Sequence, residues 1–582
     1  MSSARDIAAA VRSGESSAVA QMEAALARLA DYDAVQPQAW ISRFAPAQVL
    51  ETARKVDARI AAGEDLPLAG VPFAVKDNID VAGLETTAAC PEFAYRPARN
   101  ATAVQRLCDA GAIPLGKTNL DQFATGLNGS RSPYGAPRCV FNLAYVSGGS
   151  SSGSAVVVGA GLVPLALGTD TAGSGRVPAA FNGLIGFKPS KGRWSTTGLV
   201  PACRSLDCIT AFTSDAADAA LVDGIIAGFD PADDYSRVLP DRTVGMRLGI
   251  PLPHQRPWFG DVQSEYLYGQ ALDRLEGLGH ELVDVDIAPL LDAAKLLYSG
   301  PWVAERTAAL EDMLRDRPEA IDPVVREIVS AGTTLSAVDA FRGQYRLMHF
   351  ARAAEQMWAT VDVLAVPTSP TIYRLSEMLA NPVALNSHFG TFTNFVNLLN
   401  MAAVAVPAGY RRNGTGFGVS FFAPAGTDRA LLEMAEAWGN PYPRPALDTG
   451  ELMETIRLAV VGAHLEGMPL HWQLTSRSAR LVAATETSPT YRLYAMAGSV
   501  PPKPALVHDE NGSSIKVEVY ELDVAAFGSF VAEVPPPLAI GTVTLADGSS
   551  VKGFVAEPRA LAGAEDITAL GGWRAYVERG PA

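Results

Sequence analysis

Cysteine is scarce. There are five in 582 residues, Cys90, Cys108, Cys139, Cys203 and Cys208, an odd number with no CxxC pair. This argues against a disulfide framework or a zinc fold, and the reduced thiols of a cytoplasmic protein are expected. Histidine is also sparse, with seven residues and no HExxH, so no metal site is expected. No apolar run reaches the length of a membrane span, and the stretch 155–167 is short and broken by glycine. The opening MSSARDIAAAVRSGESSAVA lacks an uninterrupted apolar core and reads as an amphipathic helix, not a secretory signal. Basic residues are outnumbered 47 to 62, giving a net charge of −15. That argues against nucleic acid or an anionic membrane as the main partner, while leaving room for a local basic pocket.

What remains is a chain 48% hydrophobic and 19% charged, suited to a soluble enzyme with more than one core. Its most unusual stretch is 147–190, SGGSSSGSAVVVGAGLVPLALGTDTAGSGRVPAAFNGLIGFKPS. It predicts a polar loop at 147–154, a buried small-residue helix or strand over 155–168, a second loop at 169–176 and a helix start at Pro178. A free linker is set aside, because VVVGAGLVPLALG has to be buried. Glycine lets backbone N–H groups approach a ligand closely, so the two hydroxyl-bearing loops could converge on one pocket.

Upstream, LAGVPFAVKD (68–77) predicts an apolar strand ending on Lys76. A lysine there is costly unless it has partners or snorkels to water. Burial beside donors lowers its pKa and yields the neutral amine that a base requires. GAIPLGKT (111–118) fits the phosphate-loop pattern GxxxxGK[ST], but its interior is apolar and Pro114 has no N–H. A helix, a glycine cap and a short strand are expected instead. The polar stretch 119–138 offers Asp121, Asn128 and Arg131 as groups that could support a pocket from behind.

Elsewhere, 1–63 predicts scaffold helices with a cap region at SGESS, and 246–289 predicts strand, helix, strand. PYPRPALDTGE (441–451) has three prolines and reads as a linker. Several short strands follow, with a hairpin turn at ADGSS.

The long motif around GGSSSG and GTDTAGSGRVPAAFNGLIGFKPS, with VPFAVKDNIDVAG upstream, resembles the amidase signature family over roughly residues 1–440. The resemblance implies an α/β fold with a central mixed sheet covered by helices. It implies a Ser–Ser–Lys triad of Ser174 as nucleophile, Ser150 as bridge after a cis peptide, and Lys76 as base. It also implies an oxyanion site of backbone N–H groups from Thr171, Ala172, Gly173 and Ser174. Ala172 and Gly175 depart from the commoner Gly and Ile without removing a catalytic group. YSGPWVAER is similar to a segment of the allophanate hydrolase branch, where a tyrosine and an arginine, here Tyr298 and Arg306, contact the substrate carboxylate. Guanidinium pairs with carboxylate in a bidentate way, which suits a small anionic substrate. Residues 455–582 are similar to the C-terminal domain fused to amidases in that branch, of gamma-glutamylcyclotransferase-like fold. Ordinary amidases lack it. His464 is kept as a candidate there, against its reading as a satisfied loop histidine.

The resulting expectation has three parts: a catalytic domain at 1–440, a Pro-rich linker at 441–454 and a C-terminal domain at 455–582. The implied reaction is hydrolysis of allophanate, releasing ammonia and eventually carbon dioxide, with no cofactor. The resemblance also implies a homodimer, and a supply of allophanate from a biotin-dependent urea carboxylase or from triazine-ring breakdown. The alternative substrate is another small acid amide such as malonamate.

Overall fold

The computed structural model describes residues 2–449, 455–477 and 479–580. They fall into two compact units that divide between Thr449 and Gly450.

The first unit is built on one mixed eleven-stranded sheet. Its strands in chain order are β1 (Trp40–Arg43), β2 (Pro72–Lys76), β3 (Ile113–Thr118), β4 (Leu165–Asp170), β5 (Ile185–Lys188), β6 (Cys208–Thr213), β7 (Arg247–Pro251), β8 (Glu281–Val285), β9 (Val363–Pro367), β10 (Met401–Tyr410) and β11 (Gly416–Pro424). The order across the sheet is β1-β3-β2-β4-β6-β5-β10-β11-β9-β7-β8. β3, β2 and β4 run parallel, as do β9, β7 and β8, and the remaining pairs are antiparallel. Strands such as β2, β4, β6 and β9 are buried along their whole length, which explains their continuous apolar runs.

The predicted strand, helix, strand at 246–289 is β7, the helix Val262–Gly277 and β8, with β7 and β8 parallel. SGESS does separate two helices. Gly14 ends the first in a left-handed conformation, and Ser17 caps the second by accepting from Ala20 N.

The Gly/Ser-rich stretch resolves into the helix Ser152–Gly159, then β4, then the helix Val177–Phe181. Its glycines serve close packing. A Cβ on Gly168 would lie 2.5 Å from Phe212 Cε2 and 2.8 Å from Ser151 Oγ, so only glycine lets the helix seat on its strands. The phosphate-loop pattern is spent structurally. Ile113–Thr118 is strand β3, preceded by the helix Thr102–Asp109 and by Gly111 at φ 95°. Lys117 is buried, 3.0 Å from Asp77 Oδ1.

The segment after residue 440 departs from a free linker. Arg444 Nη2 donates to Gly159 O at 2.7 Å, Asp448 N donates to Val140 O at 2.9 Å, and Asp448 Oδ2 accepts from Leu143 N at 2.7 Å. The Arg444 guanidinium also covers the Phe141 ring at 5.3 Å. A Pro-rich composition signals extended backbone and does not say whether that backbone is anchored. Residues 450–454 of the expected linker lie outside the described residues.

The second unit has its own core and two sheets. One is five-stranded, in the order Arg480–Glu486, Lys516–Asp523, Thr455–Val460, Ser550–Ala556, Leu538–Thr544, and the other is three-stranded. Short helices such as Val524–Val531 and Trp573–Arg579 complete a small α/β unit. ADGSS is the hairpin turn expected, with Asp547 Oδ1 accepting from Ser549 N at 2.9 Å. Among the described residues, no helix is long and apolar enough to cross a membrane.

Candidate active site

Lys76 ends β2 with no solvent exposure. Its Nζ lies 2.7 Å from Ser150 Oγ and donates to Thr169 Oγ1 at 2.6 Å. Burial pulls its pKa down to about 7, against the opposing pull of Asp121, Asp207 and Asp170. The lysine is therefore poised to be neutral close to physiological pH, and it does not snorkel to water.

Ser150 follows a cis peptide from Gly149 and leads into the helix Ser152–Gly159. Asp121 holds this corner. Its N–H donates to Ser150 O at 3.1 Å, and its carboxylate accepts from the backbone N–H groups of Asn128, Gly129 and Arg131. Burial nevertheless raises the Asp121 pKa. A Cβ on Gly149 would overlap Asp121 Oδ2, which explains glycine there. Asp121 and Arg131 thus support the corner from behind, as their polarity suggested.

Ser174 sits on the loop after β4 and is 2% exposed. The loop is wrapped around the Asp170 carboxylate. Gly173 N donates to Oδ1 at 2.9 Å and Gly175 N to Oδ2 at 3.0 Å, while Arg176 Nε and Nη2 donate to the two oxygens at 2.9 Å each. Burial alone would raise the Asp170 pKa, but Arg176 holds it below the usual carboxylate value. The two serine loops are tied back to back, because Ser151 Oγ donates to Thr169 O at 3.1 Å and accepts from Thr169 N at 3.2 Å. Thr169 is the same residue whose hydroxyl meets Lys76.

The amide inventory narrows the oxyanion expectation. Gly173 N–H is already committed to Asp170, so Gly173 is a poor oxyanion donor in this arrangement. The tight turn around Asp170 is the reason, since it aims that amide inward. Among the described residues, the amides of Thr171, Ala172 and Ser174 have no protein acceptor.

Asp207, which the motif reading did not single out, joins this loop to the turn at Ala202 and Cys203. It accepts from the Thr171 hydroxyl and from Ala202 N and Cys203 N at 2.8 and 3.1 Å. Burial pushes its pKa up to about 6, opposed by the Thr171 hydroxyl, the Ala202 amide and Arg306. It also lines a cavity of about 250 Å³ with Gly198, Leu199, Pro201 and Arg204.

Tyr298 and Arg306 are brought together by adjacent helices, Ala288–Ser299 and Trp302–Ala309. The Arg306 guanidinium, 1% exposed, lies 5.1 Å from the Tyr298 ring centroid with Nη2 3.5 Å from its hydroxyl. Nη1 donates to Thr125 Oγ1 at 3.2 Å, and Nε has no protein partner. Among the described residues no carboxylate comes within ion-pair distance of Arg306. Tyr298 packs against the apolar cluster that contains Ala172, two residues before Ser174.

In the second unit, His464 Nε2 shares a hydrogen bond with Gln473 Oε1 at 2.8 Å and stacks on Phe554 at 5.0 Å. Burial lowers its pKa, with the Gln473 bond opposing. That is a satisfied histidine. A neighbouring polar chain went unnoticed in the sequence. His471 Nε2 meets Tyr520 Oη at 3.0 Å, Tyr520 donates to Glu518 Oε2 at 3.0 Å, and Glu518 Oε1 pairs with Arg574 at 2.7 Å. The alternation of charge along KVEVYELD was its signal.

Residues 23–432 match the amidase family, and residues 456–578 match the allophanate hydrolase C-terminal domain. Kluyveromyces lactis allophanate hydrolase superposes with a TM-score of 0.70 at 41% identity, over 97% of each chain. Saccharomyces cerevisiae urea amidolyase is 44% identical over 586 residues, covering 95% of this chain and 32% of that protein. The chain therefore spans about a third of the length of the curated urea amidolyases it matches. The peptide amidase of Stenotrophomonas maltophilia superposes with a TM-score of 0.64 at 27% identity, over 76% of this chain and 98% of that one. The chain belongs to the amidase family, with its amidase domain joined to a match to the allophanate hydrolase C-terminal domain.

Proposed function

We propose that the chain hydrolyses allophanate (urea-1-carboxylate) through a relay of Ser174, Ser150 and Lys76. Neutral Lys76 takes the proton of Ser150 as Ser150 takes that of Ser174, and Ser174 Oγ bonds to the terminal amide carbon. The carbon–nitrogen bond then breaks, the relay returns a proton to the nitrogen, and ammonia leaves. Water, deprotonated by the same relay, releases the acyl group as a dicarboxylate that eventually loses carbon dioxide. The amides of Thr171, Ala172 and Ser174 hold the oxyanion, each such donor contributing about 3 kcal/mol. The relay needs no cofactor.

The observation that carries the substrate class is Arg306. It is a buried guanidinium without a carboxylate partner, backed by Tyr298. A buried charge persists only if something pairs with it, and an amide bearing a carboxylate supplies that pair. Allophanate has its carboxylate one nitrogen from the amide carbon. Malonamate has the same reach through carbon, so the second reading is a small-acid amidase, and comparing turnover of the two separates them.

The deciding experiment is ammonia release from allophanate by the intact chain and by Ser174→Ala. We expect release by the first and a loss of about 10³-fold or more in the second. Turnover of malonamate without turnover of allophanate would discard the substrate alone. Unchanged release by Ser174→Ala would remove the relay.

The same reading extends to the assembly and setting. The catalytic domain occupies about 1–440 and the C-terminal domain 455–582, the latter of gamma-glutamylcyclotransferase-like type, which a crystal structure of the second unit would test. The enzyme works in the cytoplasm as a homodimer, its allophanate supplied by a biotin-dependent urea carboxylase or by triazine-ring breakdown. The helix Ala337–Trp358 supports the dimer, with Val338, Phe341, Tyr345 and Met348 exposed along one stripe.

A further inference from the structure

We infer that Thr125 is the residue that aims Arg306, and so sets the enzyme's grip on the carboxylate of its substrate. This rests on the reading of Arg306 as a carboxylate binder, but not on which carboxylated amide is turned over.

A guanidinium on a long, flexible side chain recognises a carboxylate well only if its plane is fixed. The Tyr298 ring covers one face of Arg306, and its hydroxyl meets Nη2 only at 3.5 Å, too long to fix rotation within the plane. Thr125 Oγ1 closes that freedom by accepting from Nη1 at 3.2 Å. A hydroxyl has a single proton, and here Phe123 O receives it at 3.3 Å. The rotor is therefore set with a lone pair toward Arg306.

The mount behind Thr125 is rigid. Phe123 and Ala124 adopt φ of 50° and 54°, a left-handed region that residues other than glycine seldom occupy unless held there. They are held by Phe123 N to Ala88 O at 2.9 Å, by Ala124 N to Asp121 O at 2.9 Å, and by Arg131 Nη1 to Thr125 O at 2.9 Å. The Phe123 ring is wedged edge-on against Phe93 at 5.3 Å. The start of this turn is Asp121, whose N–H binds Ser150 O. One short segment thus fixes the relay serine at one end and the carboxylate binder at the other. It sets the distance between the reacting amide carbon and the anionic group. Thr125 is a positioning residue, acting through Arg306.

The test measures KM and kcat of the full chain, Thr125→Val and Thr125→Ser, with allophanate and with malonamate. Val keeps the shape and removes the acceptor, so its KM should rise about tenfold or more while kcat stays within about twofold. Ser keeps the hydroxyl and should restore KM to near the parent value. Thr125→Ala gives the same reading if Thr125→Val does not fold. Unchanged KM in the Val and Ala variants overturns the inference. So does a fall in kcat at constant KM, or a Ser variant as impaired as Val, since either would mark a merely structural threonine. If the parent turns over malonamate and not allophanate, the proposed substrate falls, while the KM shift on malonamate still decides this inference. A parent that ignores the carboxylate overturns both.

Discussion

Lys76 stands at the end of a fully buried strand, where water cannot solvate an ammonium. The cost falls on the charged form, so burial brings the amine's pKa to about 7. The sign for activity follows. Protonated lysine cannot accept a proton from Ser150, and with a pKa near 7 roughly a tenth of the chains carry the neutral amine at pH 6 and nine-tenths at pH 8. The pH profile of kcat/KM should therefore climb about tenfold per unit below pH 7 and level off by about pH 8. Lys76→Ala should abolish that limb and lower kcat by about 10²–10⁴-fold. Asp207 supplies part of the negative field that holds the amine's pKa up. Asp207→Asn should move the limb toward acid, and a limb that stays put or moves toward alkali would remove Asp207 from this role.

At the scale of elements, the loop after β4 hangs on one ion pair. Asp170 and Arg176 are both fully buried, and the same carboxylate collects two amides of the loop that carries Ser174. Replacing Asp170 by Asn keeps the shape and strands the guanidinium, at a cost of about 3–5 kcal/mol. Urea denaturation should show that loss, and ammonia release should fall with it. An unshifted midpoint would mean that the loop keeps its form by other contacts. This pair also marks where sequence reading stopped. The strand ending on Lys76, the strand, helix, strand at 246–289, the helix cap at Ser17 and the strand nature of GAIPLGKT were legible, because each is a local pattern of burial period, caps or missing N–H groups. Nothing local marks Arg176 in GSGRVP or Asp207 in RSLDC. Their meaning comes from partners distant in the chain. The Thr171–Asp207 bond spans 36 residues and the Thr125–Arg306 bond 181. No local pattern encodes such contacts. The commitment of Gly173 N–H was hidden for the same reason, since a motif names the amides and only the turn says where each one points.

For the whole molecule, the helix Ala337–Trp358 poses a different kind of question. It runs 22 residues, yet only Gly343 and Ala354 along it are buried. Val338, Phe341, Tyr345 and Met348 are 57%, 62%, 69% and 68% exposed. They recur every third or fourth residue, so they form one continuous apolar stripe. Single exposed apolar side chains are ordinary, but a contiguous stripe marks an interface. A second copy can cover it by a two-fold contact in which each helix packs on the other's stripe, and the three-four spacing suits such a seam. Phe341→Glu places a carboxylate at the centre of that contact, where pairing would desolvate two like charges. Sedimentation velocity at micromolar concentration should then show dimers for the parent chain and monomers for the variant. All the groups assigned to the relay, the oxyanion and the carboxylate lie in one chain, so the Phe341→Glu monomer should keep ammonia release within about twofold. A variant that remains dimeric moves the interface to another face of the molecule. A monomer without activity would mean that the partner completes the site.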